Sequence, residues 1–248
     1  MDLKNTIKDT IINLLARIKN TDDSKCIFYH DIHSEHRFTD MSTSVELFTK
    51  HINIIRDLGF EIVHEITKEK KQISISFDDG FKGIYENVGI INKLKVPITI
   101  FVVPSFLDRD NFLTTTNLKE IAKNKFIKIQ SHTFTHAELP TLDSDSLQNE
   151  IQKSKEVLES TCETEINSIC FPKGMFNRSV IKKSSEAGYD KQLVVGHDMA
   201  HKHMLKRYGG YGFSHILEHI VPELLEWGTS QKQIDNMLIN NPRNLLAY

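Results

Sequence analysis

Four short stretches carry the residues that could do chemistry, and each closes an apolar run. Residues 73–81 read ISISFDDGF and end in Asp78 and Asp79. Adjacent carboxylates repel each other, and burial raises the pKa of at least one unless a cation lies beside them. Gly80 lets the backbone turn sharply straight afterwards. A solvated turn, with an Asp capping the next helix, accounts for DDG alone equally well. Residues 126–136 read FIKIQSHTFTH and place His132 and His136 four apart. In a helix or a tightly wound loop, both imidazoles then face one way, a spacing that divalent metals accept. Joined with Asp79 they make a two-His, one-carboxylate set that leaves coordination positions open for water and substrate. Asp78 is then the spare carboxylate, free to take a proton from the attacking water. Residues 169–174, ICFPKG, close another run. Pro172 stiffens that turn, Gly174 frees it, and the backbone N–H of Lys173 could face a developing oxyanion. Residues 26–33, CIFYHDIH, end in a titratable pair, His30 and Asp31, at a strand's mouth.

These residues must be held by the elements that precede them. β-rich runs fall at 26–29, 60–65, 72–77, 98–103, 126–130, 166–171 and 193–195. Helical patterns lie between them, at 42–58, 83–94, 146–161 and 178–187. The first has Thr43 and Glu46 at capping-box spacing and stops at Gly59; the last stops at Gly188. Two further helices follow Phe213, the second opened by Ser230 with Gln233. Such alternation implies a mostly parallel α/β sheet. Seven to eight strands in one unbroken series fit a closed (β/α) barrel in a single domain better than two domains. Chemistry in such barrels sits at the C-terminal strand ends, where the four stretches stop.

The totals set outer bounds. The chain has 248 residues, 39% hydrophobic and 26% charged, with a net charge of −2. That is ordinary for a globular protein and gives no electrostatic reason to expect nucleic acid as a partner. Twelve histidines, several beside Asp or Glu, raise the expectation of a metal or acid-base site. Cys26, Cys162 and Cys170 are too few and too irregular for a disulfide framework. Residues 1–20 carry a helical stripe of Ile7, Ile11, Leu14, Leu15 and Ile18, interrupted by Lys, Asp and Asn. It reads as neither a signal peptide nor a membrane span, so the expected compartment is the cytoplasm.

SFDDG, HTFTH and FPKG, in that order, resemble the first three motifs of the polysaccharide deacetylases, the NodB homology domain of carbohydrate esterase family 4. The resemblance covers residues 21–190. It implies a distorted barrel, a divalent metal (most often zinc) and removal of an N-acyl group, acetyl or formyl, from an amino sugar. By that analogy Asp78 is the general base, and Asp79, His132 and His136 hold the metal. Two positions depart from the pattern. Cys170 stands where the third motif usually has Arg, which leaves the charge partner of Asp78 open, with Lys173 and Arg178 as candidates. Ala137 follows His136 where Pro is frequent. The family's general acid normally comes late, from apolar residues followed by His-Asp. Here that pattern occurs early, in IFYHD, which is similar to circularly permuted members. His30 would then protonate the departing amine, with Asp31 helping to orient it.

Residues 191–248 resemble something else: the last strand-helix unit of the phosphotriesterase-like amidohydrolases. YGGYGFSHI, VPELLEWG, QID and NPRNLL carry that likeness. Asp198 would stand where that family has an Asp serving a metal-held hydroxide, with His197 beside it. The simplest expectation is that this tail completes the barrel. The leading expectation is therefore a metal-dependent deacylase of a glycan precursor, small or lipid-linked, with the oligomeric state open. The alternatives are a lactonase or phosphotriesterase-like hydrolase run from Asp198, or a degenerate carbohydrate-binding protein.

Overall fold

The computed structural model describes residues 22–189, 216–226, 230–235 and 237–238. The N-terminal stripe, the run at 193–195, His197 and Asp198 lie outside the described residues.

The sheet is parallel throughout, as the alternation of strands and helices requires. Its spine is β5 (Gln72–Asp79), and three strands pair with it. β1 (Lys25–Tyr29) pairs with residues 73–77, β4 (Glu61–Val63) with 72–74, and β6 (Ile98–Val102) with 76–79. β7 (Ile127–Ser131) then pairs with β6 over its whole length. Ile73, Ile75 and Phe77 on β5, and Ile98, Ile100 and Val102 on β6, are buried at every second position. That face packs with Phe48 and Ile52 of helix α1 (Val45–Asp57) in one core cluster. The cluster also takes in Leu147, Ile151 and Leu158 of the long helix α5 (Ser144–Cys162).

Within the described residues most expected elements are met, and four points differ. Residues 42–44 do not begin the first helix. They form β3 (Ser42–Ser44), which pairs with β2 (Asp31–His33), so the cap moves from Thr43 to Ser44, whose hydroxyl accepts from the Leu47 N–H. The helix at 83–94 is two: α2 (Gly83–Glu86) and α3 (Val88–Leu94). The break falls at Asn87, whose side-chain amide donates to the carbonyls of Ile32 and Gly83. The run at 166–171 joins the sheet only through a bridge of Ile169 to Ser131. A short helix α4 (Thr115–Ile121), closed by a Thr114–Asn117 capping box, was not anticipated. Farther on, α6 (Arg178–Ser184) runs into a wider turn that includes Gly188, and α7 (Val221–Glu226) and α8 (Gln231–Asp235) match the two expected late helices. No described helix is long and apolar enough to cross a membrane. The three cysteines are free.

Candidate metal centre and its acid-base groups

Asp79 ends β5 in a strained conformation. Its φ is 71°, Gly80 follows at 85°, and the Gly80 N–H closes a three-residue turn on the Asp78 carbonyl at 2.9 Å. A non-glycine residue in this region costs on the order of 1–3 kcal/mol and persists only where its surroundings enforce it. Here Leu113 donates to the Gly80 carbonyl at 3.0 Å, and Val102 packs against Gly80. One strand further, the His132 N–H binds the Val102 carbonyl at 2.9 Å. Three strand ends are therefore stitched together where Asp79 and the histidines emerge.

The orientation of His132 follows from its partner. Nδ1 lies 2.9 Å from the Cys170 carbonyl oxygen, which can only accept, so Nδ1 carries the proton. Burial pushes the imidazolium pKa down to about 4, against the opposing pull of that carbonyl and of Asp79. The ring is thus neutral near pH 7, and Nε2 presents a lone pair. That lone pair lies 3.6 Å from Asp79 Oδ1, a buried oxygen that accepts no hydrogen bond. His136 Nε2 reaches the same oxygen at 3.4 Å. Two electron-rich atoms buried face to face are stable only with something positive between them. The donor atoms of Asp79, His132 and His136 all lie within 4.8 Å of one another. Two imidazoles and a carboxylate with positions left over suit zinc or another divalent first-row ion. The Cys170 carbonyl fixes the tautomer of His132, the usual service of a ligand's outer partner.

Around this trio stand the remaining sequence candidates. Asp78 is half-buried, and its carboxylate lies within 4.8 Å of the Cys170 thiol and a ring nitrogen of His132. The turn 172–174 follows, with Pro172 buried and both Lys173 (φ 56°) and Gly174 (φ 63°) left-handed. The Lys173 ammonium is taken by Glu138 at 2.6 Å, in an exposed ion pair. His30 is half-buried; burial lowers its pKa, while the fields of Asp79 (raising) and His136 (lowering) also reach it. It therefore lies in the electrostatic neighbourhood of the trio. Asp31 is wholly buried and turned elsewhere. It accepts from the Ser42 hydroxyl at 3.2 Å and lies against Gly83, with the Ile32 and Ile84 N–H dipoles also favouring its charged form. Burial raises its pKa to about 6 despite those hydrogen bonds. Asp31 thus ties the strand after His30 to the helix after Asp79, and does not reach the imidazole as a direct partner would.

A cavity of about 530 Å³ opens one aromatic layer from the trio. Phe112 lines it and stacks on Phe81 (4.7 Å between centroids); Phe106 joins Phe112 (4.7 Å) to the His136 ring (6.2 Å). Phe38, Lys82, Arg109, Asp110 and Asn111 also line it. This cavity, and the grip of Glu150 on Thr135 at 2.8 and 2.6 Å, are among the features that escaped the sequence reading. Glu150 had a signal, since it is a charged residue on the mostly apolar stripe of α5.

A parallel α/β sheet with a two-histidine, one-carboxylate cluster at its strand ends defines a class of hydrolase-like sites. The polysaccharide deacetylase family model matches residues 65–191, about half of the chain, and the protein belongs to that family. YxkH of Bacillus subtilis, which carries a polysaccharide deacetylase name, is 26% identical over 180 residues, spanning 68% of this chain and 63% of that protein. The Streptococcus pyogenes deacetylase PplD shares the fold, with a TM-score of 0.60 at 21% identity, over 67% of this chain and 81% of PplD. A further likeness is short. N-acetyltaurine hydrolase of Danio rerio is 46% identical over 63 residues, and a phosphotriesterase-related protein of Nematostella vectensis is 44% identical over 68. These cover 25% and 27% of this chain, which spans only 18% and 19% of those two proteins. The second match is in line with the phosphotriesterase-like character expected of the tail.

Proposed function

We propose that the protein is a divalent-metal-dependent N-deacylase of an amino sugar in a glycan precursor. The buried lone-pair confrontation of Asp79 and His132 carries this reading. Asp79, His132 and His136 would hold the ion, which when bound polarises the amide carbonyl and lowers the pKa of water. The chain's own residues do the rest. Asp78 takes the proton as the water oxygen bonds to the carbonyl carbon. The Lys173 N–H donates to the oxyanion. His30, as imidazolium, gives its proton to the nitrogen as the carbon–nitrogen bond breaks. Base and acid enter from different strand ends, so each has its own side of the amide. Asp31 keeps those two strand ends in register.

The cavity supports a sugar as the substrate. Aromatic faces suit the C–H face of a pyranose, and Asp110, Asn111, Lys82 and Arg109 offer partners to hydroxyls. In purified protein, Asp79→Ala should lose bound metal. Asp78→Asn should retain the metal and lose amine release from N-acetylated amino sugars; full turnover in Asp78→Asn would refute the assigned base. The short match to N-acetyltaurine hydrolases favours a second reading, in which Asp198 serves the hydrolysis of a small acyl substrate. An Asp198→Asn variant that loses activity on small amides or lactones, while wild type ignores amino sugars, would favour it.

A further inference from the structure

We propose that Glu150 is a positioning residue for the histidine pair and sets the pocket's affinity for a divalent ion, an inference that rests on the metal reading above. Helix α5 buries Leu147, Ile151 and Leu158 on one stripe, and Glu150 and Ser154 lie on the same stripe. Glu150 is only 8% exposed. A carboxyl group at such a position is costly unless its oxygens are bonded. Both are spent on one residue. Oε2 accepts from the Thr135 N–H at 2.8 Å, and Oε1 accepts from the Thr135 hydroxyl at 2.6 Å.

Thr135 directly precedes His136. The loop that joins the two histidines is strained at both ends, with Thr133 at φ 66° and His136 at φ 63°. Neither is a glycine, and Thr133 is β-branched, so the loop would relax if released. Its first end is held by the Ser131 hydroxyl, which accepts from the Thr133 N–H at 3.2 Å and bonds Ser154 at 2.8 Å. Its second end is held by Glu150. Two residues one turn apart on α5 therefore grip both ends of the loop that brings His136 Nε2 to Asp79. Loss of the second grip lets His136 leave its left-handed conformation, and an ion must then restore that conformation as it binds.

The test is Zn²⁺ affinity by chelator competition, together with the visible spectrum of the Co²⁺-loaded protein. Glu150→Gln should weaken Zn²⁺ binding by roughly 10–100-fold, the usual cost of losing an outer partner. Its cobalt bands should lose intensity, while far-UV circular dichroism stays native. Thr135→Val removes only the hydroxyl donor and should weaken binding several-fold. The double variant should lose less than the product of the two factors, because both act on one grip. If Glu150→Gln fails to fold, the Thr135→Val measurement decides. Wild type that binds zinc, with variants of equal affinity and unchanged cobalt bands, overturns this inference alone. Wild type that binds neither ion overturns the metal reading itself.

Discussion

Gly83→Ala tests how the two halves of the site are joined. In an ordinary helix this change is stabilising by about 0.5–1 kcal/mol, because glycine has more conformational freedom to lose. At Gly83 the sign should reverse. A methyl group there would overlap the Ile32 carbonyl oxygen and both carboxylate oxygens of Asp31. The carbonyl is backbone in β2, and Asp31 is wholly buried, so neither can swing aside. Overpacking of this kind costs about 1–3 kcal/mol. Displacing Asp31 from the Ser42 hydroxyl adds about 1 kcal/mol for the buried bond lost. The sum, less the helical gain, is roughly 1–3 kcal/mol. Urea unfolding of the metal-free protein measures it, as a lower midpoint at unchanged slope. Gly89→Ala is the control: its added methyl meets nothing within 4 Å, so it should gain the ordinary 0.5–1 kcal/mol, about what propensity alone gives. If Gly83→Ala matched Gly89→Ala, the close seat of Asp31 on α2 would be refuted.

Acid titration should separate two buried groups of opposite sign. Asp31 binds its proton more tightly folded (about 6) than unfolded (3.8), so its contribution is complete below 3.8 and is lost as pH rises through 6. His132 is the reverse: held at about 4 against 6.5, it contributes fully above 6.5 and loses that contribution as pH falls to 4. Asp31→Asn should therefore lose stability more steeply than wild type as pH falls from 6 to 4, and His132→Gln less steeply; equal slopes in all three would contradict both assignments. Arg109→Ala in the cavity wall should raise KM for an N-acetylated oligosaccharide with kcat held, and equal kinetics would remove the cavity from the substrate's path. His30→Ala should bind zinc normally and lose turnover by roughly 10²–10⁴-fold, the usual share of an acid catalyst; full turnover would end its role.

The sheet was legible because its apolar alternation is strong. β1, β5, β6 and β7 all begin or end within a residue or two of the expected runs. Asp78, Asp79 and His132 stood out in the sequence because they follow such runs, and His136 because it lies four residues after His132. β2 and β3 were not, since three-residue strands carry too little pattern to announce themselves. The partner of Asp31 was hidden too, because Gly83 lies fifty-two positions later and meets it only through the fold. The same holds for Cys170, whose contribution comes from its backbone carbonyl, an atom that residue identity does not select.

What separates the readable from the hidden is where the strain is kept. Asp79, Thr133 and His136 all take conformations that their residue types disfavour, and nothing in their local sequence demands it. Each is enforced from elsewhere: Asp79 by the β6 and 111–113 backbone, the histidine loop by Ser131, Ser154 and Glu150. A charge on an apolar helical stripe is thus a usable signal. It marks a residue whose burial must be compensated by a distant partner, and here that partner is the residue before a candidate ligand. Had Glu150 been Leu, α5 would pack as well or better, and the loop from His132 to His136 would lose the bonds that hold its strained end. Retaining a buried carboxyl at that position makes physical sense if the loop's geometry, more than the helix's packing, is what the position serves.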